Sequence, residues 1–251
     1  MNLGRSLSFA FKAQDAAPKL LVGGLLTLLF PTVFFGFVVA GYVVRVLCNA
    51  LEGRDAALPQ WKDLRTLFSE GVSPLMVVLA YHLPFFLLLT VKAAILSPDN
   101  AMHLDLSFYI AGPALAAIGG FLAPAAVLRL IVIRQPKAAF DLPRIVSFIR
   151  ENAVRYTSAW ALSLLFYAIS VFCAGVLLVG VYLGIFMGHV IYVVFAAAVL
   201  VIFVGFFIAH VISAHLYAQM YRASKPFSDD LEGEARASIA LPPPLFPKNR
   251  P

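Results

Sequence analysis

The stretch Leu20–Leu47, LLVGGLLTLLFPTVFFGFVVAGYVVRVL, decides the fold of this chain. It is apolar almost throughout and long enough, at ~1.5 Å per residue, to cross a hydrocarbon core of ~30 Å as a single helix. Pro31 stands near its middle. Proline removes a backbone donor and clashes with the preceding turn, so it kinks or breaks a helix. Two readings follow. Kinked, the run crosses once and leaves the N-terminus outside. Broken, it becomes two half-helices that dip in and return, so that both ends lie on one side. Charge favours the return, because Arg5, Lys12 and Lys19 precede the run and Arg45, Arg54, Lys62 and Arg65 lie at its end or follow it.

Four more apolar runs extend outward from this one: 75–96, 106–133, 159–186 and 190–217. Backbone polar groups in lipid must bond internally, and no alternating barrel pattern is present. The expected class is therefore all-α, a multi-pass membrane helical bundle. Composition agrees: 61% of the 251 residues are hydrophobic and only 13% are charged. That is too little charge to cover a soluble globule. The net charge of +6 is spread along the edges of the runs, so nucleic acid is not an expected partner. Membrane lipids are, with anionic headgroups at the basic segments.

Lysine and arginine set the orientation. The connection Ser97–Asp105 and the turn Met187–His189 carry none. Arg134, Lys137, Arg144, Arg150 and Arg155 fill the connection between the second and third hairpins, and Arg222, Lys225, Arg236, Lys248 and Arg250 follow the last run. The rich segments are expected in the cytoplasm and the empty ones outside, in a cytoplasmic (inner) membrane. The N-terminus lacks a cleavage site of small residues behind a short apolar core, so the first run is expected to stay in the mature protein.

A short amphipathic stretch precedes each hairpin. Residues 3–15 carry Leu3, Leu7 and Phe11, residues 59–70 carry Trp61, Leu64, Leu67 and Phe68, and residues 141–153 carry Leu142, Ile145, Val146 and Ile149. Such spacing gives one oily face, the pattern of a helix lying in the interface. The membrane domain is thus expected over 1–222, and residues 223–251 read as a polar, proline-rich cytoplasmic tail. In the second elbow a helix starting near Pro59 would place Trp61 at headgroup level and turn Lys62, Arg65 and Glu70 to water. Gly71 would then let the chain turn.

The elbow also carries a resemblance. Gly41-Tyr42, then Leu58-Pro59, Trp61, Asp63, Phe68 and Gly71, then Tyr81 and Pro84, are similar to the membrane protein family known as domain of unknown function 4013. The likeness extends more loosely over residues 5–222. It implies architecture and membrane location, and no activity. Lys62 and Arg65 make this elbow more basic than the family's.

Chemistry is thinly signalled. No zinc-protease helix, phosphate-binding glycine loop or nucleophile elbow is present, and Asp63 and Glu70 have no paired group nearby in sequence. No catalytic residue, metal site or cofactor is expected. Haem held by His82 and His210 from separate helices is outweighed by histidines bonded within the bundle. Lys92 and Arg129 are expected to snorkel from helix ends to water. Packing is better marked: Gly180, Gly184 and Gly188 repeat every fourth residue, as do Gly205, Ala209 and Ser213. Small residues at that spacing let helices approach closely. The expected function is a non-enzymatic accessory or scaffold, with a protein partner of unknown identity. The alternative is a transporter or lipid-handling protein whose cavity, between proline-kinked helices, is contacted by Tyr81, His82 and Tyr167.

Overall fold

The computed structural model describes residues 2–11, 15–54, 58–95, 106–183, 190–224, 226 and 227. Among them all regular secondary structure is helical: α1 (Leu3–Phe11), α2 (Ala16–Leu28), α3 (Phe34–Leu51), α4 (Leu64–Ile95), α5 (Leu106–Ile133), α6 (Leu142–Glu151), α7 (Ala153–Leu183) and α8 (Val190–Arg222). Short 3₁₀ turns occupy Phe30–Thr32 and Pro136–Phe140. Five helical segments are long and apolar enough to cross a membrane: Phe34–Leu51, Leu64–Lys92, Ile110–Ile133, Ala153–Leu177 and Phe195–Arg222. The chain is a multi-pass helical membrane bundle.

Two compact units divide the chain, residues 1–73 with 152–224 and residues 74–151 with 225–251. In the first, the run around Pro31 breaks: α2 ends at Leu28, a 3₁₀ turn holds Pro31, and α3 starts at Phe34. Proline at the first turn of a short helix costs no donor that would otherwise be bonded, so the break falls where the backbone tolerates it. The two halves then run antiparallel along α8. Gly24 meets Val204 and Gly23 meets Phe207, while from α3 Tyr42 lies 5.5 Å from the Phe207 ring. At the C-terminal end of α8, Arg222 Nη1–H donates to Ala50 O at 2.8 Å and Gln219 Oε1 accepts from Asn2 N–H at 2.8 Å. Both flanks of the broken run therefore reach the same end of α8. With 13 residues in α2 and 18 in α3, the second limb is longer than the half-length hairpin the sequence suggested.

α7 returns beside α8. Tyr156 pairs with Tyr217, Tyr167 with His210, and Gly205 faces Ser170. The start of α7, with Arg155, thus joins Arg5, Arg54 and Arg222 at one end of this unit.

One of the three amphipathic segments differs from expectation. Residues 59–70 are not a separate helix: Leu58–Asp63 have no regular secondary structure, and α4 begins at Leu64 and passes through Pro74 and Pro84 to Ile95. Gly71 is helical, and the chain does not turn there. The third amphipathic stretch becomes α6, which buries Ile145, Phe148 and Ile149 and leaves Leu142 and Val146 exposed. The first becomes α1, which buries Ser6, Phe9 and Ala10 while Leu3, Leu7 and Phe11 stay exposed.

In the second unit Arg129 does not reach water. Its side chain is 2% exposed, its Nε–H donates to Ala138 O at 3.0 Å, and its Nη2 stands 3.6 Å from Asp141 Oδ2. The turn Pro136–Phe140 folds back over the end of α5 and supplies that carbonyl, which is why the guanidinium turns inward. Its Cζ also lies 5.2 Å from the Phe227 ring centre, and Phe227 stacks on Phe148 at 4.1 Å. The segment after α8 therefore carries an apolar anchor, buried to 2% exposure, that the polar-tail reading did not anticipate.

Candidate functional site

The residues singled out in the elbow converge with the hairpin. Trp61 stacks on Tyr42 with ring centres 3.9 Å apart, and both rings lean on Phe207. Three backbone carbonyls close the arrangement. Tyr42 Oη–H donates to Pro59 O at 2.9 Å, Trp61 Nε1–H to Lys19 O at 2.9 Å, and Lys19 Nζ to Leu58 O at 2.7 Å. Trp61 thus spends its one donor on a carbonyl of the protein. Its indole is a plug that ties the entrance of α2 to the segment after α3.

Glycine makes this possible. A Cβ on Gly23 would lie 2.1 Å from the Phe207 ring, and one on Gly24 would lie 2.3 Å from Val204 Cγ2. Where α3 crosses α4, a Cβ on Gly41 would meet Leu67 O at 1.9 Å and one on Gly71 would meet Phe37 O at the same distance. Phe68 fills the flank of this crossing, stacked on Phe34 at 5.0 Å and edge-on to Phe37 at 5.1 Å.

Asp63 starts α4. Its φ of 58° sets it in the left-handed region that Asp tolerates better than most residues. Its carboxylate accepts from Thr66 N–H at 3.2 Å and from the Thr66 hydroxyl, an N-cap. The Thr66 side chain first, then the Thr66 backbone, holds the Asp63 carboxyl below its usual range. Glu70, expected at the water surface, instead forms a two-point pair with Arg45: Nε to Oε2 at 2.5 Å and Nη2 to Oε1 at 3.0 Å. Its side chain is 5% exposed. Both acids of the elbow thus hold helices in place.

The other candidates fall in different places. Gly205, Ala209 and Ser213 lie on α8, with Gly205 against α7 and the other two buried. A Cβ on Gly180 would meet nothing within 4 Å, so close packing does not require that glycine. Gly184 and Gly188 lie outside the described residues. Tyr81 and His82 belong to the second unit and Tyr167 to the first. Tyr81 Oη–H donates to Ala139 O at 2.8 Å, and the Tyr81 backbone packs on Gly119. His82 Nδ1 lies 2.8 Å from Val78 O and His210 Nδ1 lies 2.7 Å from Phe206 O. A carbonyl can only accept, so both histidines carry a proton on Nδ1. Among the described residues no three His, Cys, Asp or Glu side chains gather where they could hold a metal ion.

Sequence reasoning missed the pairing of Arg45 with Glu70, the glycines at 23, 24 and 119, and the packing role of Gly41, which was noted only as part of the Gly-Tyr pair. The Gly-Gly pair was the available signal for the first two. The crossing glycines have no regular spacing, because their partners sit on different helices.

An all-helical bundle with five apolar spans and no convergent reactive set among its described residues defines the class, a multi-pass helical membrane protein. Within that class the chain belongs to the family described as protein of unknown function DUF4013, whose model matches residues 24–179. The match begins at Gly24 and ends in α7, narrower than the span over which the resemblance was drawn. No curated protein and no solved structure matches the chain. The Gly-Tyr pair, the Leu-Pro-x-Trp-x-Asp elbow and the Phe-x-x-Gly lie inside the matched span, and all converge on one knot.

Proposed function

We propose that this chain is a non-enzymatic accessory or scaffold protein of the cytoplasmic (inner) membrane, presenting a basic platform and its C-terminal tail to the cytoplasm. The observation that carries the reading is the gathering of Arg5, Arg54, Arg155 and Arg222 at one end of the first unit. Four separate chain segments deliver them there. Arginine in such number at one end is what the positive-inside rule places in the cytoplasm. The broken hairpin returns both its flanks to that end, which supports the re-entrant reading of the run over a single crossing. Bonds that hold Trp61, Asp63 and Glu70 in structural roles support a non-enzymatic reading of the elbow.

The test is cysteine labelling in intact cells at Gly4, Lys62, Asn100 and Ser228, with an impermeant reagent. Labelling only at the Asn100 position is the expected result. Labelling at Gly4 as well would mean that the run crosses once, and the platform would be lost. Co-purification from the membrane then reports the protein partner directly.

A further inference from the structure

α6 joins two membrane spans. The span Ile110–Ile133 ends shortly before it, and Asn152 alone separates it from the span Ala153–Leu177. The turn Pro136–Phe140 is compact, so the chain between the first of these spans and α6 cannot carry the helix far from the membrane. α6 therefore lies where the bilayer meets water.

Its surface divides into three sectors. Ile145, Phe148 and Ile149 are buried, and the helix packs back on α5. Leu142 and Val146 form the next sector, 47% and 50% exposed. Arg150 continues their line, because at ~100° per residue each four-residue step drifts by only about 40°. Ser147 and Glu151 occupy the third sector, where the Ser147 hydroxyl donates to Glu151 Oε1 at 2.9 Å. Phe140, at the end of the preceding turn, adds a ring that is 53% exposed. We propose that Phe140, Leu142 and Val146 are sunk in the bilayer interface, and that the cations flanking them in the chain, Arg134, Lys137 and Arg150, bind the anionic headgroups of that lipid surface.

Charge selects the occupant. Arg134, Lys137 and Arg150 are exposed and enter no ion pair among the described residues. The acids nearby are engaged elsewhere. Asp141 Oδ2 lies 3.6 Å from Arg129 Nη2 and 3.2 Å from Arg144 Nε, and Asp141 Oδ1 accepts from Arg144 N–H at 3.4 Å. Glu151 stands on the sector away from the apolar stripe. A stripe with cations at both ends and no acid on it matches acyl chains with its middle and anionic phosphates with its flanks. An uncharged surface would leave those cations unmatched. The inference needs the multi-pass class and not the sidedness proposed above, since α6 joins two spans on whichever face it lies.

The experiment uses the full chain with Cys48 and Cys173 replaced by alanine. A fluorophore is attached through Leu142→Cys, Val146→Cys or Ser147→Cys, and the protein is reconstituted in vesicles of phosphatidylglycerol mixed with phosphatidylcholine. One lipid at a time carries bromine on its acyl chains and quenches fluorophores in contact with it. Quenching at Leu142→Cys and Val146→Cys should exceed that at Ser147→Cys by roughly threefold. At Val146→Cys the two brominated lipids should report roughly fivefold local enrichment of phosphatidylglycerol, about the effect of one cation near the surface. The enrichment should fall to parity when Arg134, Lys137 and Arg150 are all changed to glutamine. Arg134→Lys with Arg150→Lys keeps the charge and should keep the enrichment; its loss there would overturn recognition by charge. Equal quenching by the two lipids, or enrichment that survives the three glutamines, would overturn the proposal. So would quenching at Leu142→Cys and Val146→Cys no greater than at Ser147→Cys, since water or a second copy of the chain would then cover the stripe. Labelling in cells reads only the side each position faces, so sidedness and lipid contact fail independently.

Discussion

Gly41 and Gly71 meet where α3 crosses α4, so closely that a Cβ on either would lie 1.9 Å from a carbonyl oxygen of the other helix. Backbone cannot yield as a side-chain end can. Gly41→Ala and Gly71→Ala should each destabilise by about 3 kcal/mol or more, despite the helix-forming advantage of alanine. Gly180→Ala, in open space, should stay within about 0.5 kcal/mol of the native chain. Unfolding of the detergent-solubilised protein, followed by helical circular dichroism, measures all three.

The plug at Trp61 separates stacking from hydrogen bonding. Trp61→Phe keeps a ring against Tyr42 but leaves Lys19 O without its donor, at a cost of about 1–2 kcal/mol. Trp61→Ala removes the ring too and should cost about 3–5 kcal/mol. Equal effects from the two substitutions would mean that the ring contributes nothing, contrary to the 3.9 Å stack.

Arg45 and Glu70 should behave as a unit. Glu70→Leu alone strands a largely buried guanidinium and should cost about 3 kcal/mol. The double substitution Arg45→Leu with Glu70→Leu should cost less than either single change. A double-mutant cycle on thermal unfolding measures the coupling, and strict additivity would refute it.

Asp63 gives a pH dependence with a definite sign. Its folded pKa is depressed, chiefly by the Thr66 hydroxyl, below the ordinary value of 3.8. Its ionised form therefore stabilises the start of α4 above that value, and the contribution is lost as pH falls through the lower folded pKa. Asp63→Asn retains a capping oxygen and tolerates the left-handed φ, so it isolates the charge. The stability gap between the native chain and Asp63→Asn should be steady near neutrality and close in strong acid.

Phe227 should act as an anchor for the segment that follows α8. Phe227→Ala removes the ring stacked on Phe148 and covering Arg129, at a cost of about 3 kcal/mol to that local packing. Limited proteolysis should then cleave between Ser224 and Ser228 faster than in the native chain, while Phe227→Leu should resist more than Phe227→Ala.

Much of this was legible because lipid leaves few options. Apolar length marked the spans, and Pro31 marked the break. The motif residues of the elbow were also visible, but their partners were not. Trp61 could be placed at an interface from its chemistry alone; that it bonds Lys19 O depends on a return of the chain from 42 residues away. Glu70 looked solvated because its own segment is polar, whereas Arg45 reaches it from another helix. Regular spacing misled at Gly180, since a repeat on one helix says nothing of what stands opposite.

The contacts of Gly23 and Gly24 with Val204 and Phe207 also fix an order of events during synthesis. The ribosome makes the first hairpin early, yet the surface those two glycines shape is contributed by the last helix, some 180 residues later. Until α8 arrives, the earliest segment in the bilayer has no partner for its closest contact. Completion of the first unit thus waits on α8, and a product truncated before α8 would leave that hairpin as a recognisable target for membrane quality control.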